Sequence, residues 1–283
     1  MGAGPSAVQA GGATASACTD ASSDAAALSR FAAKYAVPAG FAVPALSPHA
    51  PAIAAEVADA IASAYNALAH RRATPDVPVA VRSSAMDEDG CDASFAGQHD
   101  TYLNIRGYES VVDAVHRCAQ SAASREALAY RTERGLPCDD VRIAVLVQEL
   151  VHSEVSGVAF SANPITGGRD EVMINASWGL GESIVGGSVT PDTFVVAKRG
   201  PAVTWRDIAQ KDRMTVLLES GTSEVCVPDE LQSVSSLSDD QVLQVARLAT
   251  SLEEGAGHPV DIEFAIAEGT LYLLQCRPIT TLG

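Results

Sequence analysis

The 283-residue chain is 47% hydrophobic and 19% charged, and its 35 acids against 19 bases leave a formal net charge of −16 at pH 7. Apolar content at the globular average excludes disorder for the bulk of the chain, and the acidic balance excludes a nucleic-acid or anionic-membrane surface. The length suits one large domain or two ordinary ones, each with its own core.

Residues 1–23 are rich in Gly, Ala, Ser and Thr, without the apolar centre of a signal peptide, and read as a flexible tail. No apolar run approaches the roughly 18–20 residues of a membrane span. The six cysteines are scattered with no Cys-x-x-Cys pair, which predicts reduced thiols in a cytoplasmic protein rather than a disulfide frame or zinc site.

In chain order, Ala25 to Ala36 predicts a helix stopped by Val37-Pro38, and a second Ala-rich helix runs from about Pro51 to Ala69. Val77 to Arg82 predicts a strand, Ser83 to Gln98 a loop, and Tyr102 to Ile105 another strand. Helices follow over Tyr108 to Ala123 and around Ser124 to Arg134. Arg142 to Glu149, Val155 to Phe160, Glu171 to Ala176 and Thr193 to Lys198 then read as strands, and Ser238 to Glu253 as an amphipathic helix. Two strands, Asp261 to Ile266 and Leu271 to Arg277, close the series. This is an α+β pattern with a helix-rich first lobe, residues 24–147, and a strand-rich second lobe, residues 148–283. A cleft between lobes is the expected ligand site.

The closing hairpin poses a register problem. Centring its turn on Gly269 sets Ile266 across from Tyr272, Glu263 from Gln275 and Asp261 from Arg277. Ile262, Phe264, Ile266, Tyr272, Leu274 and Cys276 then share one face, and Asp261, Glu263, Gln275 and Arg277 the other. Carboxylate, amide oxygen and guanidinium in one patch suit a Mg²⁺-phosphate ligand, and equally an ordinary salt-bridged outer face. Arg82 before Ser83-Ser84 and the small-residue stretch Ala93 to Gln98 reads as a phosphate cradle or as an acidic surface loop. Gln148 to Val151 ends a buried strand and is either a hinge able to bind an adenine edge or simply a strand end. The glycine-dense Ser177 to Gly187 permits close ligand approach but equally serves turns.

Five collinear stretches carry a resemblance: VPAGFAV (37–43), VAVRSSAMDEDGCDASFAGQHDTYLNI (79–105), VLVQELVHSEVSGVAFSANPITG (145–167), INASWGLGESIVGGSVTPDTFVV (174–196) and DIEFAIAEGTLYLLQCRPIT (261–280). Together the chain resembles the N-terminal ATP-binding domain shared by phosphoenolpyruvate synthases, pyruvate phosphate dikinases and rifampin phosphotransferases, a domain of two-lobed ATP-grasp-like fold. The resemblance implies ATP and Mg²⁺ as cofactors. It implies that Arg82 binds phosphates, that Ser94, Ala96, Gly97 and Gln98 close over them, and that Gln148, Glu149, Leu150 and Val151 line the adenine pocket. Glu263 and Gln275 would hold the metal, and Arg277 would join Arg82 in catalysis by stabilising the transferring phosphoryl group.

Two departures bear on activity. The Gly-Gly-Lys-Gly-like turn of the family is replaced by Ala21-Ser22-Ser23-Asp24, so Lys34 and Lys211 are the remaining candidates for its lysine. None of the six histidines has a Thr-Ser-His carrier setting, so the chain is expected to be the nucleotide-handling part. Its acceptor is then a small molecule or a phosphohistidine carrier on a separate protein, with neither nucleic acid nor membrane as partner. The alternatives are a nucleotide-binding module without turnover and an ATP-grasp ligase forming an acyl phosphate.

Overall fold

A computed structural model describes residues 35–85, 101–133 and 141–279, which separate into two units. The first comprises residues 39–150 with 219–221. Its elements are β1 (Gly40–Leu46), α1 (Ala55–Arg72), β2 (Val79–Ala85), β3 (Thr101–Ile105), α2 (Tyr108–Ser121), α3 (Arg125–Glu133) and β4 (Ile143–Glu149). The strands form an antiparallel sheet in the order β1-β4-β2-β3. Side chains alternate along a strand, so Val79, Val81, Val145 and Val147 share one face and bury it against Ile61, Tyr65 and Leu68 of α1 and Val111 and Val115 of α2. The face they turn away from carries Ala80, Arg82, Leu146 and Gln148. β1 was not expected as a strand. It tolerates Pro44 because it is an edge strand whose register slips between Val43 and Leu46.

The second unit comprises residues 151–218 and 222–279, joined by 35–38. It contains β5 (Val155–Phe160), β6 (Glu171–Trp178), α4 (Glu182–Val185), β7 (Asp192–Ala197), β8 (Ala202–Asp207), β9 (Arg213–Leu217), β10 (Thr222–Cys226), α5 (Asp229–Gln232), α6 (Asp239–Ala256), β11 (Val260–Ala267) and β12 (Thr270–Pro278). Six strands form an antiparallel sheet, β12-β11-β5-β6-β7-β8, and β9 and β10 form a separate ribbon. α6 starts at a capping box in which Ser238 and Gln241 satisfy each other's backbone N–H, and ends at Gly257 with φ +75°. Its buried stripe, Val242, Val245, Leu248 and Leu252, joins Ile262, Phe264, Ile174 and Phe194 in one core. Gly157 is required there: a Cβ would stand 2.3 Å from the Asn175 carbonyl oxygen and 2.5 Å from Phe264 Cζ.

The elements show the expected α+β class. No helix among the described residues is long and apolar enough to cross a membrane. The expected helix Ala25 to Ala36 lies outside the described residues up to 34. Ala36 itself is not helical, because it bridges in parallel to Tyr272 and accepts from Leu273 N, so residues 35–38 group with the second unit. β8, β9 and β10 were not anticipated: β8 is largely exposed, and β9 and β10 are five-residue strands with no long apolar run to mark them.

The closing hairpin corrects the expected register at its tip. Its loop has two residues, Glu268 and Gly269, both at positive φ (51° and 72°), and pairs Ala267 with Thr270 and Ile266 with Leu271. Leu274 is then the extra residue of a bulge between the Phe264–Leu273 and Glu263–Gln275 pairs. Leu271 and Leu273 therefore take the core face that was expected to hold Tyr272 and Leu274. Beyond the bulge, Glu263 stands opposite Gln275 and Asp261 opposite Arg277, as read from the sequence.

Candidate functional site

Each unit carries one set of the expected residues. In the first, Arg82 lies opposite Leu146 and Ala80 opposite Gln148, so Arg82 and Gln148 are diagonal neighbours on the sheet face that the α1–α2 core leaves uncovered. Gln148 is buried and Arg82 partly so. The Glu149 carboxylate is engaged by the Arg72 guanidinium at the end of α1. Its N–H donates to Ala39 O (2.8 Å), and the Leu150 N–H to Pro78 O (2.9 Å). Pro78 has no N–H to return, so the Leu150 carbonyl gains no ladder bond from it. What Glu149 and Leu150 can offer a ligand is therefore carbonyl oxygen rather than side-chain charge or N–H.

In the second unit, Asp261, Glu263, Gln275 and Arg277 share the sheet face opposite the α6 core. The Gln275 amide lies between Glu263 and the Arg277 guanidinium, and hydrogen bonding satisfies both neighbours when its nitrogen faces Glu263 Oε1 (3.3 Å) and its oxygen the guanidinium. A line of cation, amide and carboxylate results, each half-buried at the β11–β12 end of the sheet. The same face continues across Val158 of β5, opposite Glu263, to Asn175 of β6, opposite Val158. Two polar side chains on β6 were not among the expected site residues; Ser177 entered the sequence reading only as the start of the glycine-dense stretch, and Asn175 was not singled out. Asn175 Oδ1 and Ser177 Oγ are buried with no hydrogen-bond partner among the described residues. The signal was the alternation in Val172 to Trp178, which puts both on one face.

Ser94, Ala96, Gly97 and Gln98 lie outside the described residues, as does Lys34. Lys211 is eliminated as the substitute lysine. Its side chain is fully buried, with Nζ 2.5 Å from Asp192 Oδ1 and 2.9 Å from Ala209 O. Among the described residues no three His, Cys, Asp or Glu side chains group to hold a metal. The hard-oxygen set at Glu263 and Gln275 suits a small divalent cation that takes its other ligands from phosphate and water.

Residues 49–283 match the family described as pyruvate phosphate dikinase, AMP/ATP-binding domain. The chain is 46% identical over 224 residues to a protein of Methanocaldococcus jannaschii named probable phosphoenolpyruvate synthase, covering 79% of this chain and 19% of that one. It is 43% identical over 236 residues to phosphoenolpyruvate synthase of Pyrococcus furiosus (80% and 29%), and 40% identical over 203 residues to rifampicin phosphotransferase of Bacillus subtilis (72% and 23%). It thus spans less than a third of the length of these curated relatives. Among solved structures, D-alanine–D-alanine ligase from Bacillus anthracis overlaps it at a TM-score of 0.36 and 8% identity, covering 92% of this chain and 56% of that one. The family match over most of the chain, which takes in the Arg82, 148–151 and Glu263–Arg277 segments, shows that the chain belongs to the pyruvate phosphate dikinase AMP/ATP-binding domain family.

Proposed function

We propose that the chain binds Mg–ATP and transfers a phosphoryl group from it to a small-molecule acceptor or to a phosphohistidine carrier on a separate protein. The observation that carries this reading is the convergence of Glu263, Gln275 and Arg277 on one sheet face, set by the bulge at Leu274. Glu263 and, with its amide turned over so that the oxygen faces Glu263, Gln275 would hold Mg²⁺, which neutralises phosphate charge and orients the chain of phosphates when bound. Arg277 donates to phosphate oxygens and stabilises the charge that spreads over them during transfer. Arg82 adds a second guanidinium, Gln148 its amide, and the 149–151 main chain its polar groups to the base. The acceptor follows from none of these residues.

Calorimetry of Mg–ATP binding to wild type and Glu263→Ala, with chromatography of the recovered nucleotide, tests the reading. Loss of the charge-assisted contact should weaken Mg–ATP binding roughly 10- to 100-fold, the equivalent of about 1.5–3 kcal/mol. AMP or ADP appearing from wild type and not from the variant supports transfer. Equal binding and equal turnover by both would refute it. The burial of Lys211 favours one second reading, a nucleotide-binding module without turnover. That reading requires tight Mg–ATP binding with the nucleotide recovered intact in the presence of candidate acceptors.

A further inference from the structure

The two unpartnered oxygens on β6 have no role in the phosphate chemistry above. Ser177 is fully buried, opposite Ser156 on β5. Its neighbours are already paired: Ser156 Oγ donates to Ser153 Oγ (2.9 Å), and Ser153 Oγ donates to Gly179 O (3.1 Å). Ser177 Oγ is left over, and so is Asn175 Oδ1 two residues along the same face. Buried polar atoms are nearly always hydrogen-bonded, so each of the two calls for a partner beyond the described residues, and a bound ligand is one that can reach both.

Position and chemistry narrow what that partner is. Asn175 shares a row with Glu263 across one intervening strand, about 10 Å away at ~4.8 Å per strand. Ser177 lies one row nearer the end where the chain enters this unit through Val151 to Glu154, the end at which the base is proposed to bind. Within this unit the pair therefore lies between the Glu263–Arg277 patch and the Val151–Glu154 end of the sheet. It is a neutral amide and a hydroxyl, and the facing residues of the next strand, Val158 and Ser156, carry no charge. Phosphate calls for guanidinium or metal, whereas neutral donor–acceptor groups match neutral hydroxyls.

Resting on the nucleotide reading, we propose that Asn175, backed by Ser177, recognises the ribose hydroxyls of the bound nucleotide and so sets its preference for ribonucleotides.

Calorimetry on the full chain with Mg²⁺ and ATP, 2′-deoxy-ATP, 3′-deoxy-ATP or inorganic tripolyphosphate tests this. Wild type should bind ATP about tenfold more tightly than at least one deoxy form, as expected for one hydrogen bond that a buried group would otherwise lack. Asn175→Ala should bring that ratio to about one and leave tripolyphosphate binding as in wild type, which also shows that the variant is folded. Asn175→Thr, which keeps the strand preference, is read in the same way if the alanine variant fails to fold. Equal binding of ATP and both deoxy forms by wild type overturns the assignment, as does a wild-type ratio in the Asn175 variants. Wild type that binds tripolyphosphate but gains nothing from the nucleoside overturns the ribose contact and spares the phosphate patch. Binding of neither ATP nor tripolyphosphate overturns the nucleotide reading itself, and the ribose contact with it.

Discussion

Lys211 and Asp192 show how burial decides what a charged residue can do. Asp192 accepts from Lys211 Nζ and Ala209 N through Oδ1, and from Ser236 N (2.7 Å) and Ser236 Oγ (2.8 Å) through Oδ2. With four donors on one carboxylate and no exposure of either side chain, the pair ties β7 to the segments before β9 and before α6. Lys211 looked in the sequence like a mobile cation available to phosphate; nothing in Ile208 to Asp212 marks it as buried, because its partner lies 19 residues away. Lys211→Ala would leave a buried carboxylate without its counter-charge, and should destabilise the fold by about 3–5 kcal/mol. Urea unfolding followed by tryptophan fluorescence measures this. A loss below about 1 kcal/mol would mean that water or a neighbouring donor replaces the ammonium. Mg–ATP affinity of the folded variant should stay at the wild-type value, since the lysine does not point to a ligand.

Among the elements, the β11–β12 hairpin carries the proposed phosphate and metal groups, and its bulge sets which side chains share their face. Without an extra residue, the two-residue loop would carry its own register along the whole ladder and place Gln275 opposite Ile262, on the core face. Leu274 absorbs one residue and returns Gln275 and Arg277 to the outer face. Deleting Leu274 should leave a regular ladder with Glu263 still opposite Gln275, and Mg–ATP binding should survive. Inserting one alanine after Leu274, with the bulge kept, should set Gln275 opposite Ile262 and Arg277 opposite Val260, on the core face, abolish Mg–ATP binding and lower the melting temperature. Calorimetry and thermal melts on the pair decide it; equal behaviour of deletion and insertion would show that the bulge does not control facing. The polar half of this hairpin was legible because charged residues two apart on facing strands leave little freedom of register. Its tip was not, because Glu268 gives no sign that it accepts the positive φ of a two-residue loop, a conformation rare outside glycine, asparagine and aspartate. Long apolar alternations such as Val79 to Val81 and Val145 to Val147 were equally legible as core strands. β8, whose Val203 and Trp205 alternate only briefly, and the short polar β10 gave no comparable signal.

At the scale of the whole molecule, a net charge of −16 must be reconciled with an anionic ligand. The two act over different distances. At 0.01 M ionic strength the screening length is ~30 Å, and an approaching Mg–ATP dianion meets the field of the entire acidic chain; at 0.15 M it shrinks to ~8 Å, and only nearby groups count. The proposed contacts with Arg277 and the metal would lie within a few ångströms and be screened far less. Association should therefore accelerate as salt rises from ~0.01 to ~0.15 M, by about two- to tenfold, while dissociation changes little, because steering acts on the approach and short contacts on the departure. This is the opposite sign from a basic nucleotide-binding protein. Stopped-flow mixing with a fluorescent ATP analogue gives both rates, and adenosine, which is uncharged, should show no salt dependence in the same range. An association rate that falls with salt would mean that the local field of Arg82 and Arg277 outweighs the distant acids even at long range. The acidic surplus would then lie on surfaces remote from the ligand's approach.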